Sequence, residues 1–528
     1  MNYFQFISLT FFIQVEEFAQ ALPRDSSKSP IPGIQNWVKL SQGYNHFTPR
    51  HSHATCIYSC PHSSLKNCIW LTGGYSDTYR TFDLELTERN ADVWYSEDGS
   101  KWNPMLTLDG DFLQGVGNHD AKVGGRVAPW YARYGHSLNA MDANGDGIAD
   151  AMVLTGGFNP IASNDVWIST NGTTWKFDGY APWAGRAYHG AIVYKEKLWI
   201  IGGSPLKNDV WTGKLVEKKI NSQEYLIEWK LHSAHLKPGI FSPRAAFCLV
   251  TQKRRDTYDS NTTAIDQKDK FIETLFLIGG FGGYPEEDKR TRNDVWTTND
   301  GVHWNQLFPT NDDKNGEMPW GARGWHACAT WHDPLDSTLG VNEASKNYYF
   351  KHMPKESSLM YPKIYIIGGG YFGTHGNNVV RYLEGYVDVW WSVNGSNWQR
   401  VDYEEGEESS LYSTSEIYNV EIDEKTEMYK GKWGHTLEVF NSDLPITYNL
   451  TMENCASYSS IQTKECKQTF DDRDMSSALI VIGGDTTDGG PIVNDVFMSG
   501  LGGKFISLNS IYVEKHFVKI DIFSYFIC

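Results

Sequence analysis

One pattern constrains this 528-residue chain more than any other: a short apolar run closed by Gly-Gly and followed by an Asp-Val-aromatic triplet. It recurs six times. The runs are IWLTGG (to Gly74), MVLTGG (Gly157), LWIIGG (Gly203), LFLIGG (Gly280), IYIIGG (Gly369) and LIVIGG (Gly484). The triplets end at Trp94, Trp167, Trp211, Trp296, Trp390 and Phe497. In four units an Asp-Gly or Asn-Gly turn and a second tryptophan follow, at Trp102, Trp175, Trp304 and Trp398; the third unit has a longer turn before Trp229. Upstream of each Gly-Gly a basic residue is followed three positions later by His or Phe: Arg50/His53, Arg133/His136, Arg186/His189, Arg244/Phe247, Arg323/His326 and Lys432/His435.

Each unit therefore spells four strands: R-x-x-H, GG, DVW and W. The apolar runs have strand length and the Ile/Val/Leu content of strands covered on both faces. Gly-Gly stops a strand by admitting positive φ, and Asp-Gly or Asn-Gly predicts a two-residue hairpin joining the third and fourth strands. Four strands cannot bury their own faces, so the units must pack side by side, and radial packing gives a propeller. The sixth unit lacks a fourth strand after Phe497, while IQNWVKL, with Trp37, precedes the first R-x-x-H. That segment fits the gap and would remove a free sheet edge. The expectation is an all-β, six-bladed β-propeller over residues 35–499, closed by an N-terminal strand. Residues 22–34 form a linker and 500–528 a tail outside the repeat.

The GG…DVW units resemble the Kelch repeat across nearly the whole chain. The resemblance implies a β-propeller used mostly for binding. Kelch propellers also include copper-radical oxidases similar to galactose oxidase and a six-bladed sialic-acid mutarotase, so a carbohydrate-active enzyme is the alternative. A copper site would need Tyr, His and a Tyr–Cys pair near the axis. Cys248 and Cys328 lie on first strands, where buried thiols are expected, and no copper set can be assigned from spacing. A mutarotase would need Arg, Glu and His at the channel mouth; Arg133, His136 and His326 are candidates, yet they belong to a motif present in every unit. One active site needs one copy, so a structural role for R-x-x-H, with Arg bonding backbone or the DVW aspartate, is the expected one. No catalytic residue is assigned.

Between the first and second strands of the second unit lies MDANGDGIAD. Asp142, Asn144 and Asp146 occupy alternate positions, Gly147 allows a sharp bend, and the Ile148 carbonyl and Asp150 complete an oxygen set suited to Ca²⁺. It is no EF-hand, since Val153 replaces the twelfth-position Glu and a strand follows. The loop resembles the calcium loops of integrin-type FG-GAP propellers, which implies a structural ion.

The balance of 47 Lys and Arg against 64 Asp and Glu gives a net charge of −17, which disfavours nucleic acid as a partner. Phe4–Val15 is apolar but too short to cross a bilayer. With Ala19-Gln20-Ala21 behind it, residues 1–21 read as a secretory signal, though no basic segment precedes and Glu16 and Glu17 follow. No later run suggests a membrane span, so an extracellular or secretory location is expected. There Cys455 and Cys466 would staple one insertion, and one pair from Cys56, Cys60 and Cys68 another. Without a CxxC pair, zinc is not indicated.

Strand alternation assigns the loops to two faces. The glycosylation sequons at Asn171, Asn261, Asn394 and Asn449 all fall on the calcium loop's face. The opposite face receives Trp130, Trp183 and Trp320 ahead of R-x-x-H, and Tyr75, Tyr284 and Tyr371 after Gly-Gly. These six are the candidate surface for a protein or glycan partner; packing of the three tryptophans between blades is the competing possibility.

Overall fold

The computed structural model describes residues 37–41, 47–81, 84–106, 128–219, 222–233, 240–255, 271–283, 291–309, 318–331, 362–375, 378–386, 388–401, 432–441, 448–449, 467–468, 477–486 and 492–499. The expected signal, linker and tail lie outside them, as do Tyr284, Asn261, Cys455 and Cys466.

The described chain is all-β and antiparallel. Sheet 1 runs Ala54–Cys60, Ser63–Thr72, Val93–Ser96, Asn103–Leu106; sheet 2 runs Ser137–Met141, Ala151–Thr155, Asp165–Ser169, Lys176–Tyr180. Sheet 3 comprises Gly190–Tyr194, Lys197–Gly203, Lys207–Glu217 and Tyr225–Ser233, and sheet 4 Cys248–Arg255, Phe271–Gly282, Thr291–Thr298 and Asn305–Leu307. The short strand Arg244–Ala245 bridges these two. Sheet 5 holds Ala327–Trp331, Lys363–Ile367, Val389–Ser392 and Trp398–Arg400. Sheet 6 holds Thr436–Asn441, Ser477–Thr486 and Ile492–Ser499, with Lys432–Trp433 as a short extra strand. Its outer position is filled by Trp37–Ser41, with Trp37 opposite Ser499.

Burial explains the apolar runs. In the GG strand of sheet 1, Trp70 points into a core shared with Met152 and Leu154 of sheet 2. Ile69 and Leu71 point the other way, into a core shared with Ile480 and Ile482 of sheet 6. Equivalent cores join sheets 2 and 3, 3 and 4, 4 and 5, and 5 and 6. Each sheet buries both faces against neighbours, an arrangement that fits a β-propeller.

Two expectations need correction. The third and fourth strands pair, but not through two-residue hairpins. In sheet 1 the connection spans residues 97–102. Asp98 Oδ1 accepts the amides of Ser100 and Lys101, Ser96 Oγ accepts that of Gly99, and the Trp102 indole donates to the Gly99 carbonyl. Side-chain acceptors thus stabilise a wider turn that the Asp-Gly signature alone does not reveal. Cys248 and Cys328, read as thiols, form a disulfide between the first strands of sheets 4 and 5, with Cα atoms 6.0 Å apart. Cys60 and Cys68 form another, leaving Cys56 a buried free thiol. Two disulfides suit an oxidising environment. Among the described residues no helix is long and apolar enough to cross a membrane.

Candidate functional site

The R-x-x-H segment does structural work in each of the first five units. Arg133 is fully buried; Nη1 donates to the Gly156 carbonyl and Asp165 Oδ1 at 2.7 Å, and Nη2 to Asp165 Oδ2 at 2.6 Å. The same fork joins Arg50 to Asp92, Arg186 to Asp209, Arg244 to Asp294 and Arg323 to Asp388. Each aspartate also accepts its own DVW indole, as Asp165 does from Trp167 at 2.8 Å. Burial works against ionisation of Asp165, but hydrogen bonds and charge from Arg133 outweigh it and hold the carboxyl below its ordinary range.

The histidines lock one sheet to the next. His136 Nε2 meets Thr72 Oγ1 of sheet 1 at 2.9 Å, and its ring edge fills the space beside the first glycine of that sheet's pair. A Cβ on Gly73, whose φ is +56°, would lie 2.7 Å from His136 Cε1, so both the conformation and the close approach require glycine. Burial, then the Arg133 charge, pushes His136 down to about 3; burial does the same to His189 and His326. Arg133, His136 and His326 are therefore core residues and do not line a mouth. Cys248 and Cys328, being bonded to each other, offer no thiolate to copper.

The middle of the motif builds something else. The residue before each His or Phe has positive φ: Ser52 (53°), Gly135 (63°), Tyr188 (53°), Ala246 (54°), Trp325 (52°) and Gly434 (66°). The amide of each donates to the carbonyl of the one before, Gly135 to Ser52 at 2.8 Å, Tyr188 to Gly135 at 2.7 Å, Ala246 to Tyr188 at 2.9 Å, Trp325 to Ala246 at 2.8 Å and Gly434 to Trp325 at 3.0 Å. Ser52 donates to Gly434 at 2.7 Å and completes the circuit.

Around this circuit the rings of His51, Tyr75, Tyr134, Tyr188, Trp325 and Trp433 touch in succession, with Phe158 against Tyr134 and Phe281 against Trp325. Trp433 lies 4.6 Å from His51 and 5.5 Å from Trp325, and Tyr75 lies 5.5 Å from Tyr134. Most of these rings, including Trp325, Trp433, Tyr134 and Tyr188, are only partly buried. The guanidinium of Arg89 stacks over Tyr134 and Phe158 at 5.8 and 5.3 Å. Polar groups sit at the floor: Ser52 Oγ lies 2.9 Å from His51 Nδ1 and bonds the Tyr188 hydroxyl. Burial lowers His51 to about 4 and raises Tyr188 well above its ordinary value, so both are neutral at physiological pH. The result is an aromatic bowl with a few directed hydrogen-bonding groups. Tyr75 belongs to it. The rest went unrecognised in the sequence because their only signal is a position inside a motif defined by other residues.

The three tryptophans proposed for a partner surface are elsewhere. Trp130, Trp183 and Trp320 are 4, 1 and 1 % exposed. They stand edge-on to the fourth-strand residues Trp175, Trp229 and Trp398. Their large apolar area is worth more buried there than displayed, which corrects the surface assignment. Tyr371 is half-buried and lies 5.3 Å from Tyr386.

In the acidic loop, Asp142 Oδ1 accepts the amides of Asn144 and Gly145 and Oδ2 that of Gly147; Asp146 accepts the Ile148 amide, and Asp150 that of Ala143. Slight burial raises the Asp142 pKa, but these amides outweigh it and lower it overall. Among the described residues no three acidic, histidine or cysteine side chains converge as a metal site. Asn171 is exposed and Asn394 half-buried, each in a turn where its Oδ1 accepts two backbone amides. Asn449 lies on the short strand Tyr448–Asn449.

No protein-family model matches the chain, and no curated protein does. Among solved structures the chain is similar to that of YjhT, at 12% identity and a TM-score of 0.42, over 86% of this chain and 96% of that one.

Proposed function

We propose that the chain is a secreted, six-bladed Kelch-type propeller, closed by Trp37–Ser41, which works as a protein- or glycan-binding module through the aromatic bowl. The observation that carries this is the gathering of partly exposed Trp, Tyr and Phe rings around the six-residue backbone circuit. Stacked rings offer apolar faces to a sugar or an inserted side chain, and the Ser52–Tyr188–His51 cluster and Arg89 supply direction. The R-x-x-H loops and the Gly-Gly loops supply these rings from one side, away from the acidic loop and the Asn171 and Asn394 turns. A glycan array and an affinity pull-down with the secreted protein test it. Trp325→Ala and Trp433→Ala should abolish capture while leaving the melting temperature within a few degrees. Capture unchanged in both variants would reject the bowl as the site.

A structural Ca²⁺ at the acidic loop belongs to the same proposal. Asp142, Asn144, Asp146, the Ile148 carbonyl and Asp150 supply hard oxygens, and Gly147, at φ +88°, gives the bend that brings such a loop around an ion. The bound ion would neutralise the loop and fix the turn into the second strand of sheet 2.

A further inference from the structure

The wall of the bowl is built from six cross-strand pairs, one per unit, each joining the residue after the motif arginine or lysine to the residue after Gly-Gly. In chain order they are His51/Tyr75, Tyr134/Phe158, Ala187/Ser204, Ala245/Phe281, Gly324/Gly370 and Trp433/Asp485. Partners of this kind share a face of the sheet. Four of the pairs bring at least one ring. The glycine pair of sheet 5 is covered: a Cβ on Gly324 would run into the Phe281 ring, which lies 4.2 Å from Trp325. That leaves sheet 3, with alanine and serine, as the low sector of the wall among the described residues.

Loop length deepens the gap. Sheet 3 joins its GG and DVW strands through residues 204–206 alone, whereas sheets 1 and 5 each raise a hairpin at that place, Tyr75–Thr81 with Leu84–Arg89 and Gly370–His375 with Asn378–Gly385. Apolar residues stand on both sides of the gap. The Arg186 amide donates to the Ser163 carbonyl at 2.9 Å, which brings the Gly-Gly loop of sheet 2 and its Ile161, 72 % exposed, against sheet 3. Leu206, 46 % exposed, leans the other way: its Cδ2 would meet a Cβ on Gly282 of sheet 4 at 3.2 Å. Across the bowl, three steps round the circuit from Tyr188, stands Gly434, and beside it the Trp433/Asp485 pair. Asp485 is the one carboxyl among the twelve wall residues. The gap in sheet 3 therefore faces the acid on sheet 6.

We propose that the bowl takes a cationic, otherwise apolar segment of a partner protein, which enters over Ala187 and Ser204 between Ile161 and Leu206 and extends a Lys or Arg side chain to Trp325, Trp433 and Asp485. The proposal rests on the bowl as the binding site. Three observations favour a basic peptide over a sugar chain. The lips of the gap are aliphatic, and such a surface gains more from apolar side chains laid against it than from hydroxyls. The rings already hold a cation, the Arg89 guanidinium over Tyr134 and Phe158, and the two tryptophans offer stronger faces for one. The acid stands where such a side chain arrives, and the net charge of −17 draws basic partners toward the protein. Burial keeps His51, against Trp433, neutral, so it does not oppose the incoming charge.

A peptide array probed with the intact protein tests this. The probes are short apolar peptides carrying a single Lys or Arg, the same peptides with norleucine or Glu in its place, and a parallel array of neutral and acidic oligosaccharides. The Lys and Arg peptides should bind, and the norleucine and Glu peptides about tenfold more weakly or not at all. Asp485→Asn should cost about tenfold for the Lys and Arg peptides and leave the norleucine peptide unchanged. Leu206→Arg and Ile161→Arg, both at exposed positions, should weaken the basic peptides about tenfold, whereas Phe177→Arg, on the outer strand of sheet 2, should not. These variants should keep the parent's melting temperature. Binding lost in Trp325→Ala but untouched by Leu206→Arg, Ile161→Arg and Asp485→Asn would overturn this path while leaving the bowl as the site. Oligosaccharides bound in place of the peptides, or no peptide bound, would overturn the peptide partner. Binding untouched by Trp325→Ala as well would overturn the bowl itself.

Discussion

Lys39 stands opposite Phe497, so the first described strand of the chain completes the sheet formed by its last. That pairing covers the DVW strand of sheet 6, which would otherwise present a row of open amides and carbonyls.

Removing residues 1–41 should therefore cost more than stability. The bare edge at Ile492–Ser499 invites another chain to pair with it. Analytical ultracentrifugation should show dimers or larger species in the truncated protein and a monomer in the parent.

The Arg133–Asp165 fork is buried and bidentate, so breaking one side leaves a stranded charge. Arg133→Met should destabilise by about 3–5 kcal/mol in urea unfolding. Arg133→Met combined with Asp165→Leu should cost less than the sum of the single changes. Additivity would show the pair to be uncoupled.

The buried histidines predict acid sensitivity. His136, His189 and His326 have folded pKa values near 3, below the unfolded value of 6.5. Their stability is present above the unfolded pKa and is lost as pH falls from 6.5 toward 3, by about 1.4 kcal/mol per pH unit for each group. Phe247 already occupies the equivalent place in sheet 4. His189→Phe should accordingly flatten the slope of stability against pH in that window, measured by denaturant titration.

The Cys248–Cys328 bridge closes a loop with a sequence separation of 80. Chain-entropy reasoning puts its contribution at about 4.5 kcal/mol. Replacing both by serine should lower the denaturation midpoint far more than the same change at Cys60 and Cys68, whose separation is 8.

If the acidic loop takes Ca²⁺, adding the ion to chelator-treated protein should raise the melting temperature, and Asp142→Asn with Asp146→Asn should remove that gain. An equal melting temperature with and without calcium in the parent protein would exclude a stabilising ion.

Much of this architecture was legible because the repeat encodes backbone. Gly73 and its equivalents sit at positive φ beside the next unit's histidine, and Arg133 needs Asp165 at fixed spacing, so both leave a periodic trace. The missing fourth strand pointed to Trp37 for the same reason. The bowl was hidden because Ser52, Gly135, Tyr188, Ala246, Trp325 and Gly434 share only a backbone conformation, which imposes no residue type beyond tolerance of positive φ. Trp130, Trp183 and Trp320 misled because large aromatic residues before a loop look alike whether they face solvent or fill a gap between sheets. The partner of Cys248 was invisible because it comes from the following unit.

The circuit of six amides and carbonyls has one further consequence. Its six bonds are main chain alone, and the side chains standing on it, such as Ser52 and Tyr188, only add contacts of their own. Where neighbours leave room, residues from serine to tryptophan stand on it without touching the bonds that keep the sheets together, whereas at Gly135 a Cβ would come within 3.1 Å of the Tyr188 ring. Recognition and architecture are thus assigned to different atoms of the same residues.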